Sequence, residues 1–125
     1  GAERWEEWKP DGVTLHKILR HSDDPETPAV LKEFVDGIDF LFIDGDHSYR
    51  VARQDFERYG QMVEPGGLIA LHDISHHPGR PDVEVDRLWR EIQEAGYITQ
   101  EILAAEPHPW GGIGIVYVGG IDARL

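Results

Sequence analysis

The sequence predicts an α/β domain built on a mostly parallel sheet flanked by helices. Three observations predict it. Ile38-Asp39-Phe40-Leu41-Phe42-Ile43 and Leu68-Ile69-Ala70-Leu71 are short, nearly unbroken apolar runs, the pattern of strands buried on both faces. Around them, apolar residues recur at three- and four-residue steps, the period of amphipathic helices. Both runs end in ionisable residues, Asp44-Gly45-Asp46-His47 and His72-Asp73. The carboxyl edge of an open α/β sheet is where ligands bind.

Gly1 to Gly12 is polar and reads as a loop with at most a turn of helix. Its Trp5 and Trp8 read as packing residues. Val13 to Leu19 alternates apolar and polar residues and predicts a strand. His21 to Thr27 is a loop rich in turn residues. Pro28 then opens a short helix with Ala29, Val30, Phe34 and Val35 on one face, and Gly37 stops it. The central strand runs from Ile38 to Asp44. Ser48 to Val63 predicts a helix with Val51, Ala52, Phe56, Tyr59, Met62 and Val63 inward, capped by Asp46 or Ser48. Glu64-Pro65-Gly66-Gly67 is a breaker, and a second strand follows. His76 and His77 lie in a Pro/Gly loop and are expected at the surface. Val85, Leu88, Trp89, Ile92 and Ala95 mark a helix ended by Gly96. Tyr97 to Leu103 and Ile113 to Val118 are the last strands, joined through Ala104 to Gly112. Strands alternating with helices imply right-handed crossovers. The closing pair is expected to put one antiparallel strand at the sheet edge.

Residues 1–125 form one domain, long enough for a real core. With 24 acidic against 12 basic residues, the net charge is -12. That balance excludes binding to a nucleic-acid backbone or an anionic membrane surface. The absence of cysteine excludes disulfides and thiolate metal sites. No apolar stretch approaches the roughly 20 residues of a membrane span, and a cytoplasmic setting fits.

If the two apolar strands are neighbours, Asp44, Asp46, His47, His72 and Asp73 meet in one crevice. Oxygen-rich clusters suit Mg²⁺, Ca²⁺ or Mn²⁺, and a remaining carboxylate or imidazole serves as general base. Plainer readings compete. Asp-Gly is a common turn, Asp46 suits a helix cap, and His47 and His72 suit satisfied buried histidines.

Ile38 to Tyr49, with Asp55-Phe56, Pro65-Gly66-Gly67 and Leu71-His72-Asp73-Ile74, resembles the carboxyl-terminal part of a class I S-adenosylmethionine-dependent methyltransferase. The nearest branch carries an Ile-Asp-Gly-Asp-His-Ser-Tyr signature and includes cephalosporin-hydroxylase-like and macrocin O-methyltransferase-like proteins. Ser22, Asp24-Pro25-Glu26-Thr27 and Gly111-Gly112-Ile113-Gly114 also fit that branch. The resemblance implies a Rossmann-like sheet with its last strand antiparallel. It implies O-methyl transfer from S-adenosylmethionine to a small hydroxylated molecule. By the same resemblance, Asp44 and Asp73 hold a divalent cation such as Mg²⁺, and Asp46 and His47 are the candidate catalytic residues. His21, Ser22 and Asp46 then border the methyl donor.

Three features depart from that pattern. No G-x-G precedes Asp39, so the amino-terminal glycine-rich unit is missing, and a complete domain needs about 200 residues. The donor loop expected to read Gly-Asp-Ser reads Arg20-His21-Ser22. Ile74 stands where metal-dependent relatives often carry Asn or Asp, which leaves the metal one ligand short. The missing strands predict an unpaired sheet edge, and with it a homo-oligomer or pairing with an amino-terminal part. Two other readings are a metal-dependent hydrolase using the Asp/His cluster and a non-catalytic assembly module on a shortened fold.

Overall fold

The computed structural model describes residues 7–104 and 111–119. Helix α1 spans Thr27–Lys32, strand β1 Ile38–Ile43, helix α2 Tyr49–Gly60 and strand β2 Val63–His72. Helix α3 (Val85–Glu94) and strands β3 (Ile98–Ile102) and β4 (Ile113–Tyr117) complete the described elements. The sheet order is β1-β2-β4-β3. Strands β1 and β2 are parallel, and β4 runs antiparallel to both β2 and β3. Three strands therefore share one direction and the last opposes them, as the Rossmann-like expectation requires.

Register decides which side chains share a face. Leu41 lies opposite Ile69 and Ile43 opposite Leu71. Ile69 in turn faces Val116, and Leu71 faces Gly114. This row is the core face, and Leu71 and Val116 are fully buried on it. Helix α2 closes over it with Val51, Ala52 and Tyr59 buried, and α3 with Val85, Leu88, Trp89 and Ile92. Each of the buried Val, Leu and Ile side chains contributes about 1.5–3 kcal/mol. Trp89 needs Gly114 beneath it, because a Cβ there would lie 2.6 Å from the indole ring. The indole Nε1–H donates to Glu101 Oε2 at 2.6 Å. Among the described residues no helix is long and apolar enough to cross a membrane.

Several expectations are corrected. Val13 to Leu19 forms no strand, and Leu19 is 85% exposed. Among the described residues its alternating pattern has no neighbouring strand to pair with, and strand propensity is realised only against one. Strand β1 is not buried on both faces. Phe40 and Phe42 are exposed at 58% and 47%, because α2 and α3 both cover the opposite face. The antiparallel strand is interior, and β3 takes the edge. Glu64 to Gly67 does not separate helix from strand. It is an excursion inside β2, between the pairs Ile38–Val63 and Phe40–Leu68. Gly66 there adopts a left-handed φ of 92°, and its N–H donates to the Val118 carbonyl at 2.7 Å. His77 is buried rather than exposed, whereas Trp8 is exposed. Trp5 and the Pro107–Pro109 loop lie outside the described residues.

Candidate active site at the ends of β1 and β2

Strand register builds the site. Ile43 pairs with Leu71, so the residues that follow them, Asp44 and His72, emerge side by side. His72 Nδ1 lies 3.2 Å from Asp44 Oδ1 and 3.0 Å from Asp73 Oδ2. His47 Nε2 lies 2.7 Å from the same Asp73 oxygen and 4.0 Å from Asp44 Oδ1. His77 Nε2 stands 3.7 Å from the other Asp73 oxygen. One donor atom from each of Asp44, His47, His72 and Asp73 falls within 4.8 Å of the rest. Despite these contacts, neither His47 Nε2 nor His72 Nδ1 makes a hydrogen bond of acceptable geometry.

Asp73 sits at the centre of the cluster with a φ of 66°, the left-handed region that non-glycine residues seldom adopt. Its backbone is held there by an N–H bond to the Gly112 carbonyl at 2.9 Å. Strained backbone of this kind concentrates where a side chain must be aimed. His47 is positioned by its own carbonyl, which accepts from the Glu84 N–H at 2.8 Å. Glu84 in turn accepts from the Tyr49 N–H at 3.2 Å.

Asp46 stands apart from the cluster. Its Oδ1 accepts from the Ser48 N–H at 2.8 Å, and that bond holds its carboxyl below the ordinary range. Ser48 is the residue that caps α2, accepting from the Val51 N–H at 3.3 Å. Asp46 lines a depression of about 580 Å³ together with Arg20, His21, Ser22 and Arg50. An adjoining cleft of about 390 Å³ is walled by Leu41, Ile43, Leu31 and Tyr59, with Asp44 and Asp55 as its acidic members. Both volumes suit a small molecule.

The loop between them is sewn down. Tyr59 Oη donates to the Ser22 carbonyl at 2.7 Å and Arg58 Nη1 to the Asp23 carbonyl at 2.8 Å. Thr27 Oγ1 donates to the His21 carbonyl at 2.7 Å. Asp55 is buried on the inner face of α2, and burial pushes its carboxyl up despite a hydrogen bond from Ser22.

A family profile described as a methyltransferase domain matches residues 3–74, more than half of the chain. The chain belongs to this methyltransferase family. An uncharacterized protein of Acanthamoeba polyphaga mimivirus is 32% identical over 106 residues, covering 82% of this chain and 48% of that protein. Solved structures show the same fold at low identity. The O-methyltransferase TomG from Streptomyces achromogenes, solved with SAM, gives a TM-score of 0.56 at 16% identity, over 76% of this chain and 46% of TomG. The O-methyltransferase from Bacillus cereus, solved with SAH, gives 0.53 at 19%, over 74% of this chain and 46% of that one. The chain thus spans about half the length of the relatives it matches.

Within this methyltransferase domain the predicted residues divide into two groups. Asp44, His47 and Asp73 converge with His72. His21, Ser22 and Asp46 border the depression beside them. Ile74, where a further ligand was looked for, is buried in the core. Sequence reasoning quoted Asp55 only as part of the family resemblance, with no role, and expected His77 at the surface. Asp55 left a signal, a lone acid four residues before Tyr59 on an apolar helical face. His77 left none, because its loop reads as solvent-exposed.

Proposed function

We propose that the chain is the carboxyl-terminal part of an S-adenosylmethionine-dependent O-methyltransferase acting on a small hydroxylated molecule with a divalent cation at Asp44 and Asp73. The observation that carries this reading is the convergence of Asp44, His47, His72 and Asp73 beside the depression lined by His21, Ser22 and Asp46. The donor set fits a cation. Two carboxylates from neighbouring strand ends approach one point, one of them on strained backbone. A bound cation would orient the acceptor hydroxyl and lower its pKa.

The protein's own residues do the rest. Methyl transfer is an in-line displacement, so holding acceptor and donor in register supplies much of the acceleration. The two clefts meet at Arg20, Ser22 and Gly45, which gives donor and acceptor adjoining seats. His47 is the general base of this reading, with its Nε2 2.7 Å from Asp73 Oδ2 at the rim of the cluster. Asp46 is a poorer base, because the Ser48 N–H already stabilises its charged form. It belongs instead to the donor side with His21 and Ser22.

The sequence carries no glycine-rich turn for the amino-acid end of the donor. Strand β1 has no partner on its outer side among the described residues. In our reading another polypeptide segment, from a second copy or an amino-terminal part, supplies both.

The test is calorimetric titration with S-adenosylhomocysteine, with and without Mg²⁺, over a range of protein concentrations. Saturable binding at about 1–100 µM is expected, strengthening where the chain associates. No binding at any concentration, or after adding the amino-terminal part, would overturn the donor reading.

A further inference from the structure

We infer that His72 is a direct nitrogen ligand of the cation site, which therefore takes a later first-row transition ion such as Co²⁺ or Ni²⁺ in preference to Mg²⁺. The inference rests on the cation reading above and adds the ligand and the class of metal. His72 Nδ1 is nearly equidistant from the two carboxylates, 3.2 Å from Asp44 Oδ1 and 3.0 Å from Asp73 Oδ2. Neighbouring ligand atoms around an ion with bonds near 2.1 Å stand about 3 Å apart. His47 differs, because its Nε2 is close to Asp73 but 4.0 Å from Asp44. His72 Nδ1 is thus the nitrogen adjacent to both carboxylates, whereas His47 Nε2 is adjacent to Asp73 alone.

Two further observations point the same way. His72 Nδ1, like His47 Nε2, is shielded from solvent and makes no hydrogen bond of acceptable geometry, which leaves the lone pair of the neutral ring available to an ion. Its ring is held edge-on by Phe42, with centroids 6.5 Å apart. The ligand missing at Ile74 is thereby replaced from the preceding side of Asp73. The replacement changes the chemistry. Mg²⁺ is bound through oxygen and keeps its waters, whereas imidazole favours the later first-row ions.

The experiment is pulsed EPR on the 125-residue chain loaded with Mn²⁺, alongside calorimetry with Mn²⁺, Co²⁺ and Mg²⁺. Nitrogen coupling from a directly bound imidazole is expected in the wild type. It should persist in His47→Gln and vanish in His72→Glu. The ratio of Co²⁺ to Mg²⁺ affinity should fall by about tenfold or more in His72→Glu. Circular dichroism checks that the variant folds, and His72→Gln takes its place if it does not. Metal binding without nitrogen coupling, or coupling that survives loss of His72, overturns the inference and leaves a carboxylate cation site standing. Failure of every divalent ion to bind overturns the inference and the cation reading together. Titration with S-adenosylhomocysteine in metal-free buffer then judges the donor reading separately.

Discussion

At the residue scale, two ionisable side chains make opposite demands on pH. Asp55 is buried, and burial raises its carboxyl above the ordinary 3.8. Over the interval between those values the folded state keeps a proton that the unfolded state has released, so stability falls as pH rises through it. Asp46 has the reverse sign. Its lowered carboxyl contributes stability above the ordinary value, lost as pH falls through the folded one. Urea denaturation between pH 3 and 7 should therefore show Asp55→Asn gaining on the wild type as pH rises, then running parallel. An unchanging offset would mean Asp55 does not titrate with folding. With His47 as the base proposed above, His47→Gln is expected to lower kcat for methyl transfer by about 10²–10⁴-fold, with donor affinity kept. Much of this site was legible in the sequence, because two apolar runs each stopped at ionisable residues, Asp44 in one and His72-Asp73 in the other. The pairing of His72 with Asp44 was not, since it depends on the β1–β2 register. A one-residue slip would send those side chains to opposite faces.

At the element scale, the helices and strand β1 were legible, and the absence of a strand at Val13 to Leu19 was not. Helices α2 and α3 announce their buried faces through local periodicity, whereas Val13 to Leu19 carries a strand pattern that only a neighbour would realise. The two helices are also fastened to each other. Tyr49 Oη donates to the Glu91 carboxylate at 2.7 Å, and the Arg87 guanidinium stacks 3.8 Å over the Tyr49 ring. Their seat on the sheet depends on Gly114. Gly114→Ala should cost about 1–3 kcal/mol through overpacking against Trp89, read as a lower denaturation midpoint. An unchanged midpoint would show that the indole can shift. Ser48→Ala removes the α2 cap and should cost about 1 kcal/mol. Because the cap lies next to His47, loss of activity beyond that of stability would show that it also positions the base.

At the scale of the whole molecule, helices α2 and α3 cover one sheet face, and among the described residues no helix of comparable length covers the other. Phe40 and Phe42 are each about half exposed on the open side, next to the edge of β1 that is unpaired among the described residues, and Ile102 is about half exposed on β3 at the opposite edge. Exposed apolar surface with an open edge invites association. Sedimentation equilibrium should show a species larger than the monomer, and Phe40→Ser with Phe42→Ser should return it toward monomer. A wild-type monomer at all concentrations would remove the self-association arm of the proposal. The order of strands has a consequence in time as well. Strand β4 is the last of the four in the chain, yet it lies between β2 and β3. During synthesis those two strands would emerge first with a gap between them that neither can close. Their shared sheet forms only when residues 113–117 leave the ribosome and enter that gap. Until then the helix-covered half has no complete floor, and a nascent chain stalled before residue 113 should be open to protease throughout.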